Sequence, residues 1–493
     1  MDKLSYNILL QILYFIFPFI FVIIFGAFQF VKNPVKIRRF TKGFFILEAI
    51  FLFLIFAFND VLNVNIFNCS FNCDKKLMLL LFVSNFLFLL VIFLSKSLIK
   101  IAKKLFYLAC VLLYGLLNIF IISDNVIFSF VCLFWLILSM FFISDIMNKK
   151  TLTLKESKKL LIFDIGAYFV AGFFICFDFL RYFILNETPI NFSYMSKYFA
   201  HIDDRAILIS FIGFLILMFK CFGFLNLFER YRELFSKKTF FNASVVAITE
   251  SIIGICLLYR IYNAFDYLFY QYQTVISSIL LLVIVYNTIA SFKLDNLLKT
   301  VNSVYVVSLS LGLYSVFSYS KTDSIISFYY FLSLICSYAF ILFVFAILEN
   351  LFNTKDIDDF KRINDKSKKM QFFTLFGLLN FAKAPVCSHF VYFLMLCLTV
   401  NSIEYDCAFL KAMPYLIILC IFLCCISVFN IIAKILIEPL EIDKNKHQLF
   451  KHQNAVLIAL IVFMFILLFG IEGNISNMDF NLLSGNIGYV LFN

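Results

Sequence analysis

Glycine and proline are scarce in this sequence, 14 and 6 of 493 residues, while tryptophan occurs once and histidine four times. The glycines form no dinucleotide-binding fingerprint, the histidines include no pair spaced for a haem, and the cysteines form no paired CxxC. Nothing therefore supports redox chemistry, and no cofactor is expected in this chain. Long polar stretches are missing too: the longest connections, around 185–205 and 353–371, are each about twenty residues, too short for a soluble domain of useful size. Met1–Val31 has almost no basic residues at its start and no small-residue cleavage site after its apolar stretch. It is expected to be a retained first helix.

What the sequence holds instead is apolar. It is 63% hydrophobic, with a mean hydropathy of +0.97 and 71 phenylalanines, so the chain is expected to be an all-α polytopic membrane protein. The excess of Phe, Ile, Leu, Lys and Asn matches the bias of an AT-rich genome, so phenylalanine runs carry no functional weight. Windows of about nineteen residues predict spans near 7–31, 43–59, 77–95, 104–122, 125–145, 158–184, 205–228, 241–263, 273–292, 301–319, 324–350, 371–400, 413–437 and 453–473. These make about fourteen, each able to satisfy its own backbone hydrogen bonds in lipid. Loops after odd-numbered spans carry about 30 Lys and Arg against about 9 on the other side. That asymmetry places both termini outside the cytoplasm. It also accounts for the net charge of +11 as a topology signal, with nucleic acid not expected as a partner.

Charges inside the spans are the candidates for chemistry. Lys220 follows an almost wholly apolar run, Ala206 to Phe219. A lysine at the bilayer centre costs roughly 2.5 to 3.5 kcal/mol on insertion, so it needs a reason to stay. Glu48, Asp164, Asp178, Glu250, Lys383 and His389 also fall within spans. Most of the 14 cysteines lie in spans and read as small apolar core residues. Cys69 and Cys73, in "NCSFNC", fall in an outward loop as a bridge or free thiols; no histidine or second cysteine pair accompanies them for a metal.

"FKCFGFLNLFERYRELFSKKTFFNA" (Phe219–Ala243) runs without a gap beside the pattern "FK-G-PFH-WLPDAYEGAPTPVSA" of the antiporter-like membrane subunits of respiratory complex I, with Lys220 on the pattern's lysine. "SDNVIFSFVCLFWLILSMFFI" (Ser123–Ile143) resembles the family's fifth helix, with Trp135 on its tryptophan. "FKLDNLLKTVNSVYVVSLSLGLY" (Phe292–Tyr314) and "FYYFLSLICSYAF" (Phe328–Phe340) resemble its later signatures, as do "DIDDFKRINDKSKKM" (Asp356–Met370) and "FGLLNFAKAPVCSHFVYFLML" (Phe376–Leu396). The matches keep their order along the chain. Length and ending resemble subunit N, with subunit M as second choice.

The resemblance implies two inverted five-helix repeats, helices 4–8 and 9–13, with broken helices 7 and 12. Residues 1–100 then hold helices 1–3, 104–264 the first repeat, 273–438 the second, and 453–493 the C-terminal helix and tail. It implies breaks around Lys220–Phe228 and Lys383–His389, only the second keeping a proline, Pro385. The function implied is that of a non-redox, proton-translocating subunit of an NADH-quinone oxidoreductase in the bacterial cell membrane, among other membrane subunits. NADH and quinone would be used by the complex. In the family a buried lysine on helix 7 pairs with a glutamate on helix 5. Burial disfavours the ammonium and a carboxylate restores it, so changing their separation loads or releases a proton.

The sequence departs from that pattern in several places. Leu136 stands where the family has its glutamate, Glu250 falls near the family's central lysine or histidine of helix 8, and Tyr392 aligns with the terminal charge of helix 12. Glu250 is then the nearest carboxylate for Lys220 and is expected within about 6 Å of it, the range of an appreciable charge effect. Lys220, Glu250 and His389 are the leading pathway candidates, with Lys383, Asp164 and Glu48 secondary. Glu48, Asp164 and Asp178 have a bland alternative as static partners of Lys220, Arg181 or backbone, and Lys383 and Asp178 can reach an interface by snorkelling. Asp295 and Lys299 read as topology and packing residues.

Other readings are a cation/proton antiporter or membrane-bound hydrogenase subunit, and a structural membrane subunit, which Leu136 would suit. A lipid-linked oligosaccharide flippase would need a cluster of central arginines that this chain lacks. The charge asymmetry makes a direct prediction: a C-terminal alkaline phosphatase fusion should be active and a cytoplasmic reporter at the same site silent. The opposite pair of results would overturn the orientation.

Overall fold

The computed structural model describes residues 14, 16–25, 34–58, 62–66, 69–99, 103–148, 153–186, 191–192, 204–293, 296–317, 321–352, 354–355, 357–360, 368–385, 387–401, 407–436 and 451–469. The chain is nearly all helical. Eight helices among the described residues are long and apolar enough to cross a membrane, and four shorter apolar helices accompany them. The expected orientation of the termini, and Asp295, lie outside the described residues, as do the side chains of Asp178 and Arg181.

The chain divides into two compact units, Met1–Phe269 and Tyr270–Asn493. The first contains α1 (Ile16–Phe25), α2 (Pro34–Phe58), α3 (Lys75–Leu98), α4 (Lys103–Ile122), α5 (Val126–Asn148), α6 (Leu154–Asn186) and α7 (Asp204–Cys221). A short 3-10 turn, Phe224–Leu227, follows α7, then α8 (Glu229–Ser236) and α9 (Phe240–Gln271), which bends at Phe265. Consecutive helices pack on one another, α2 on α3 and α4, α4 on α5, α5 on α6, and α6 on α7.

Between α2 and α3 a short hairpin interrupts the helical chain. Leu62–Ile66 and Cys69–Cys73 pair as an antiparallel hairpin, Leu62 opposite Cys73 and Ile66 opposite Cys69. The alternation in "LNVNI" and "CSFNC" has the two-residue period of strands. Cys69 and Cys73 sit four residues apart on one extended strand, so their Cα atoms are about 13 Å apart, beyond the reach of a disulfide between them.

The second unit contains α10 (Gln273–Ser291), α11 (Leu297–Phe317), α12 (Lys321–Phe352), α13 (Lys368–Phe381), α14 (Ser388–Asn401), α15 (Ala408–Leu436) and α16 (Lys451–Phe469). Here α11 packs on α10, α12 and α15, while α12 also packs on α13, α14 and α16. The described membrane-length windows of α9, α11 and α12 are wholly buried, whereas half of that of α10 is exposed. Exposed positions are apolar, as at Ile162, Phe173 and Leu282, and buried positions of α11 are rich in serine, at 303, 308, 310 and 315. Lipid satisfies an apolar exterior, so helices associate through close packing and small or hydroxylated side chains.

Two interruptions matter most. After α7 the backbone turns left-handed at Gly223 (φ 77°), whose N–H donates to the Lys220 carbonyl at 3.0 Å. After α13 the left-handed residue is Lys383 (φ 57°), with Lys383 N–H bonded to Asn380 O at 3.1 Å and Ala384 N–H to Leu379 O at 2.9 Å. That pair of bonds is a Schellman ending. Pro385 follows and prevents resumption of the helix. A non-glycine residue in this conformation costs about 1 kcal/mol or more.

Gly213 sets the approach of α6 to α7. A Cβ there would lie 2.9 Å from the Ala171 carbonyl oxygen, with Phe174 and Ile175 atoms equally close. Gly213→Ala should therefore force the helices apart and cost roughly 1 to 3 kcal/mol. A thermal unfolding midpoint unchanged from wild type in detergent would show that α6 and α7 tolerate the added methyl.

Candidate functional site

Lys220 stands in the last turn of α7, at the edge of the break. Its position is favourable for a cation because the last carbonyls of a helix have no helical partners and carry the negative end of its dipole. The side chain is 3% exposed. Its Nζ donates to Glu250 Oε1 at 2.7 Å and lies 3.4 Å from Asp164 Oδ1. Glu250 comes from the middle of the buried helix α9, and Asp164 from α6. One amine thus sits between two carboxylates from two different helices, and the Lys220–Glu250 separation is well inside the expected 6 Å range.

Around this ion cluster is a small cavity of about 20 Å³, lined by Asp164, Glu250, Lys238 and Ser144 together with apolar side chains of α5 such as Ile137 and Met140. Such a volume has room for about one water molecule, and the polar lining could supply its hydrogen bonds. Lys238, in the turn before α9, is only 4% exposed. The neighbouring Lys237 points outward and pairs with Glu156 at the start of α6. That pairing, helped by hydrogen bonds from Thr153, holds the Glu156 carboxyl down to about 2. Adjacent lysines therefore face opposite ways, one to the cavity and one to the surface.

Leu136 is fully buried on α5, and the α5 residues that line the cavity are apolar apart from Ser144. The counter-charges of Lys220 come from α6 and α9. Sequence reasoning placed Asp164 in a secondary position, whereas the structure puts it in contact with Lys220. It missed Lys238, which in "SKKTF" is indistinguishable from the other basic loop residues. It also missed Arg260, which reaches from α9 to the Phe120 and Ile121 carbonyl oxygens at 3.2 and 2.6 Å and so closes the end of α4.

Glu48 is fully buried on α2, and among the described residues neither carboxylate oxygen accepts a hydrogen bond and no ion pair includes it. Nearby, the Tyr114 hydroxyl contacts that of Tyr14 at 3.2 Å and accepts from Asn85 Nδ2 at 2.9 Å.

The second unit holds a different arrangement. Lys383 does not snorkel. It is 6% exposed, and its Nζ donates to Ser308 Oγ on α11 at 2.7 Å. The left-handed backbone at the break directs the side chain inward. His389 Nδ1 contacts Ser333 Oγ at 3.1 Å, while its Nε2 has no hydrogen-bond partner among the described residues. Tyr330 stacks on the His389 ring and donates to the Ser308 carbonyl at 2.8 Å. Ser337 donates to the Ser333 carbonyl and accepts from Asn380 Nδ2, each at 2.8 Å. The break thus gathers Lys383, Ser308, Tyr330, His389, Ser333 and Ser337 into one polar line with no carboxylate in it. Tyr392 donates to the Leu467 carbonyl at 2.6 Å and ties α14 to α16.

No family model matches the sequence, and no curated protein matches it. Solved structures do match in fold. A chain of the Mrp complex from Dietzia sp. DQ12-45-1b superposes with a TM-score of 0.80 at 12% identity, over 96% of each chain. A chain of respiratory complex I from Thermus thermophilus with bound NADH gives 0.73 at 13% identity, over 92% of this chain and 94% of that one. A chain of the membrane-bound sulfane sulfur reductase, an archaeal respiratory membrane complex, gives 0.74 at 10% identity, over 99% and 97%. The chain has the fold of these membrane subunits.

The ion cluster predicts unequal costs. Lys220→Met strips the cation from two carboxylates and should cost about 3 to 5 kcal/mol, the range for breaking a buried pair. Glu250→Gln should cost less, because Asp164 still faces the amine. The double variant should cost less than the sum of the singles by about 0.5 to 3 kcal/mol. Additive losses in unfolding measurements on the purified protein would mean that the two side chains are energetically independent.

Proposed function

We propose that this chain is a proton-translocating membrane subunit of a multisubunit complex of the complex I and antiporter type. The observation that carries the reading is Lys220 at the broken end of α7, held 2.7 Å from Glu250 and 3.4 Å from Asp164 beside a cavity the size of a water molecule. The shared fold supports it, since all three structural neighbours come from membrane complexes.

In this reading the chain spans the membrane about fourteen times, with inverted repeats at helices 4–8 and 9–13. The division into units at Phe269 and Tyr270, and the breaks at Gly223 and Lys383, support that organisation. The complex is a respiratory NADH-quinone oxidoreductase of the bacterial cell membrane. Electron transfer from NADH to quinone takes place in other subunits, and this chain holds no cofactor.

Proton movement follows from the charges. With Lys220 protonated, the cluster of one ammonium and two carboxylates carries one excess negative charge. Lys238, across the cavity, offsets it. When Lys220 moves away from Glu250, the ammonium loses its main stabilising contact and gives up a proton. A cavity-lining carboxylate, Asp164 or Glu250, accepts it, and return of the amine to Glu250 favours its reprotonation. In the second unit, Lys383 and His389 hold protons on a line of hydroxyls without carboxylates.

A cation/proton antiporter subunit is a second reading, favoured by the TM-score of 0.80 to the chain of the Mrp complex. Membrane vesicles carrying the assembled complex separate the two. NADH should drive acidification that Lys220→Met reduces at least tenfold while blue-native gels still show the chain co-migrating with NADH dehydrogenase activity. Proton movement driven by a sodium gradient and indifferent to NADH would select the antiporter. Undiminished proton movement by an assembled Lys220→Met complex would refute both.

A further inference from the structure

A groove of about 640 Å³ runs between α13 and α16, within the second unit. Lys368 and Lys369, in the first turn of α13, and Asn454, in the first turn of α16, form its rim. Both helices therefore begin at the same end of the groove. Phe372 and Phe376 on α13 face Ile458 and Phe465 on α16 farther along, so the lining changes from cationic to purely apolar over about two helical turns. Lys368 and Lys369 form no ion pair among the described residues. The positive dipole ends of two helices lie at the same rim, and Lys451 begins α16 one turn above Asn454.

We propose that this groove binds an anionic phospholipid, with its phosphate at Lys368 and Lys369 and an acyl chain along the phenylalanine and isoleucine floor. An apolar floor alone would not distinguish the groove from the rest of a lipid-facing surface. The adjacent unpaired amines at one end do, because they supply charge complementary to a phosphate where the chain-binding channel opens. The Lys/Arg asymmetry puts the loops before α13 and α16 on the basic side of the membrane, where anionic headgroups concentrate. A neighbouring transmembrane helix suits the groove less well. Such helices approach closely over small residues, and this lining has bulky side chains where small ones would be needed. The volume lies within the range of pockets that enclose a single ligand. The site is independent of Lys220 and its carboxylates, so it can be tested whether or not the chain moves protons.

The test uses the full-length chain, purified into detergent and titrated with phosphatidylglycerol or phosphatidylcholine under native mass spectrometry. One phosphatidylglycerol should be retained preferentially over phosphatidylcholine. Each lysine near an anionic lipid is worth about a fivefold change in binding, so Lys368→Gln with Lys369→Gln should weaken retention about twenty-fivefold. In liposomes, Phe376→Trp places a fluorophore on the floor, and phosphatidylglycerol with brominated acyl chains should quench it more strongly than the brominated choline lipid. Equal retention of the two lipids, or equal retention by wild type and the double glutamine variant, would overturn the site. So would a photo-crosslinker at Phe372 that captures a protein in native membranes and no lipid.

Discussion

A charge that cannot reach water must find its compensation within the chain, and Lys220 imposes that requirement on the first unit. The amine sits at the end of a helix that stops inside an apolar layer, so its nearest help comes from carbonyls freed by the break and from carboxylates on other helices. Meeting the need fixes several things together. Helix α9 must be buried to bring Glu250 inward, α6 must approach α7 closely enough for Asp164 to join, and Gly213 permits that approach. The glycine, the break and the ion cluster are parts of one solution.

The second unit meets the same constraint without acids. Lys383 reaches the cluster interior because its own backbone is left-handed, and it rests on a serine hydroxyl. A hydroxyl supplies a hydrogen bond but no counter-charge, so it stabilises an ammonium much less than a carboxylate does. The His389 ring beside it leaves one nitrogen without a partner among the described residues. The first unit is thus built to hold a charged amine firmly. The second gathers an amine, an imidazole and hydroxyls, with a hydrogen bond but no counter-charge for the amine.

Much of this was legible in the sequence because membranes make patterns simple. Long apolar runs must be helices, and an interior Lys and Glu on adjoining spans must be accounted for. The break after Lys220 was expected only from the resemblance; Gly223, left-handed there, is a helix-stop signal that the sequence reading did not use. Other features were not readable. Glu48 is the one acid of α2 and Asp164 one of three on α6, and nothing in their spacing says that Asp164 faces Lys220 while Glu48 meets no partner among the described residues. Which way Lys237 and Lys238 point depends on a tight turn, and two adjacent lysines in a basic loop look alike. The hairpin at Leu62–Cys73 was overlooked because its alternation is short and lies between spans.

Leu136 now has a physical reading. Taken alone, loss of the acid expected on α5 suggests a site without function. The lysine, however, does not need an acid from any particular helix. It needs a carboxylate within a few ångströms, held where water cannot screen it, and its strength depends on distance and burial alone. Glu250 and Asp164 meet that condition from α9 and α6, and Ile137, Met140 and Phe141 of α5 line the small cavity beside them. Glu250 lies within the most buried helix of the unit, whereas Lys220 is at the end of a broken one. The cluster therefore has its acids within continuous helices and its amine at a break.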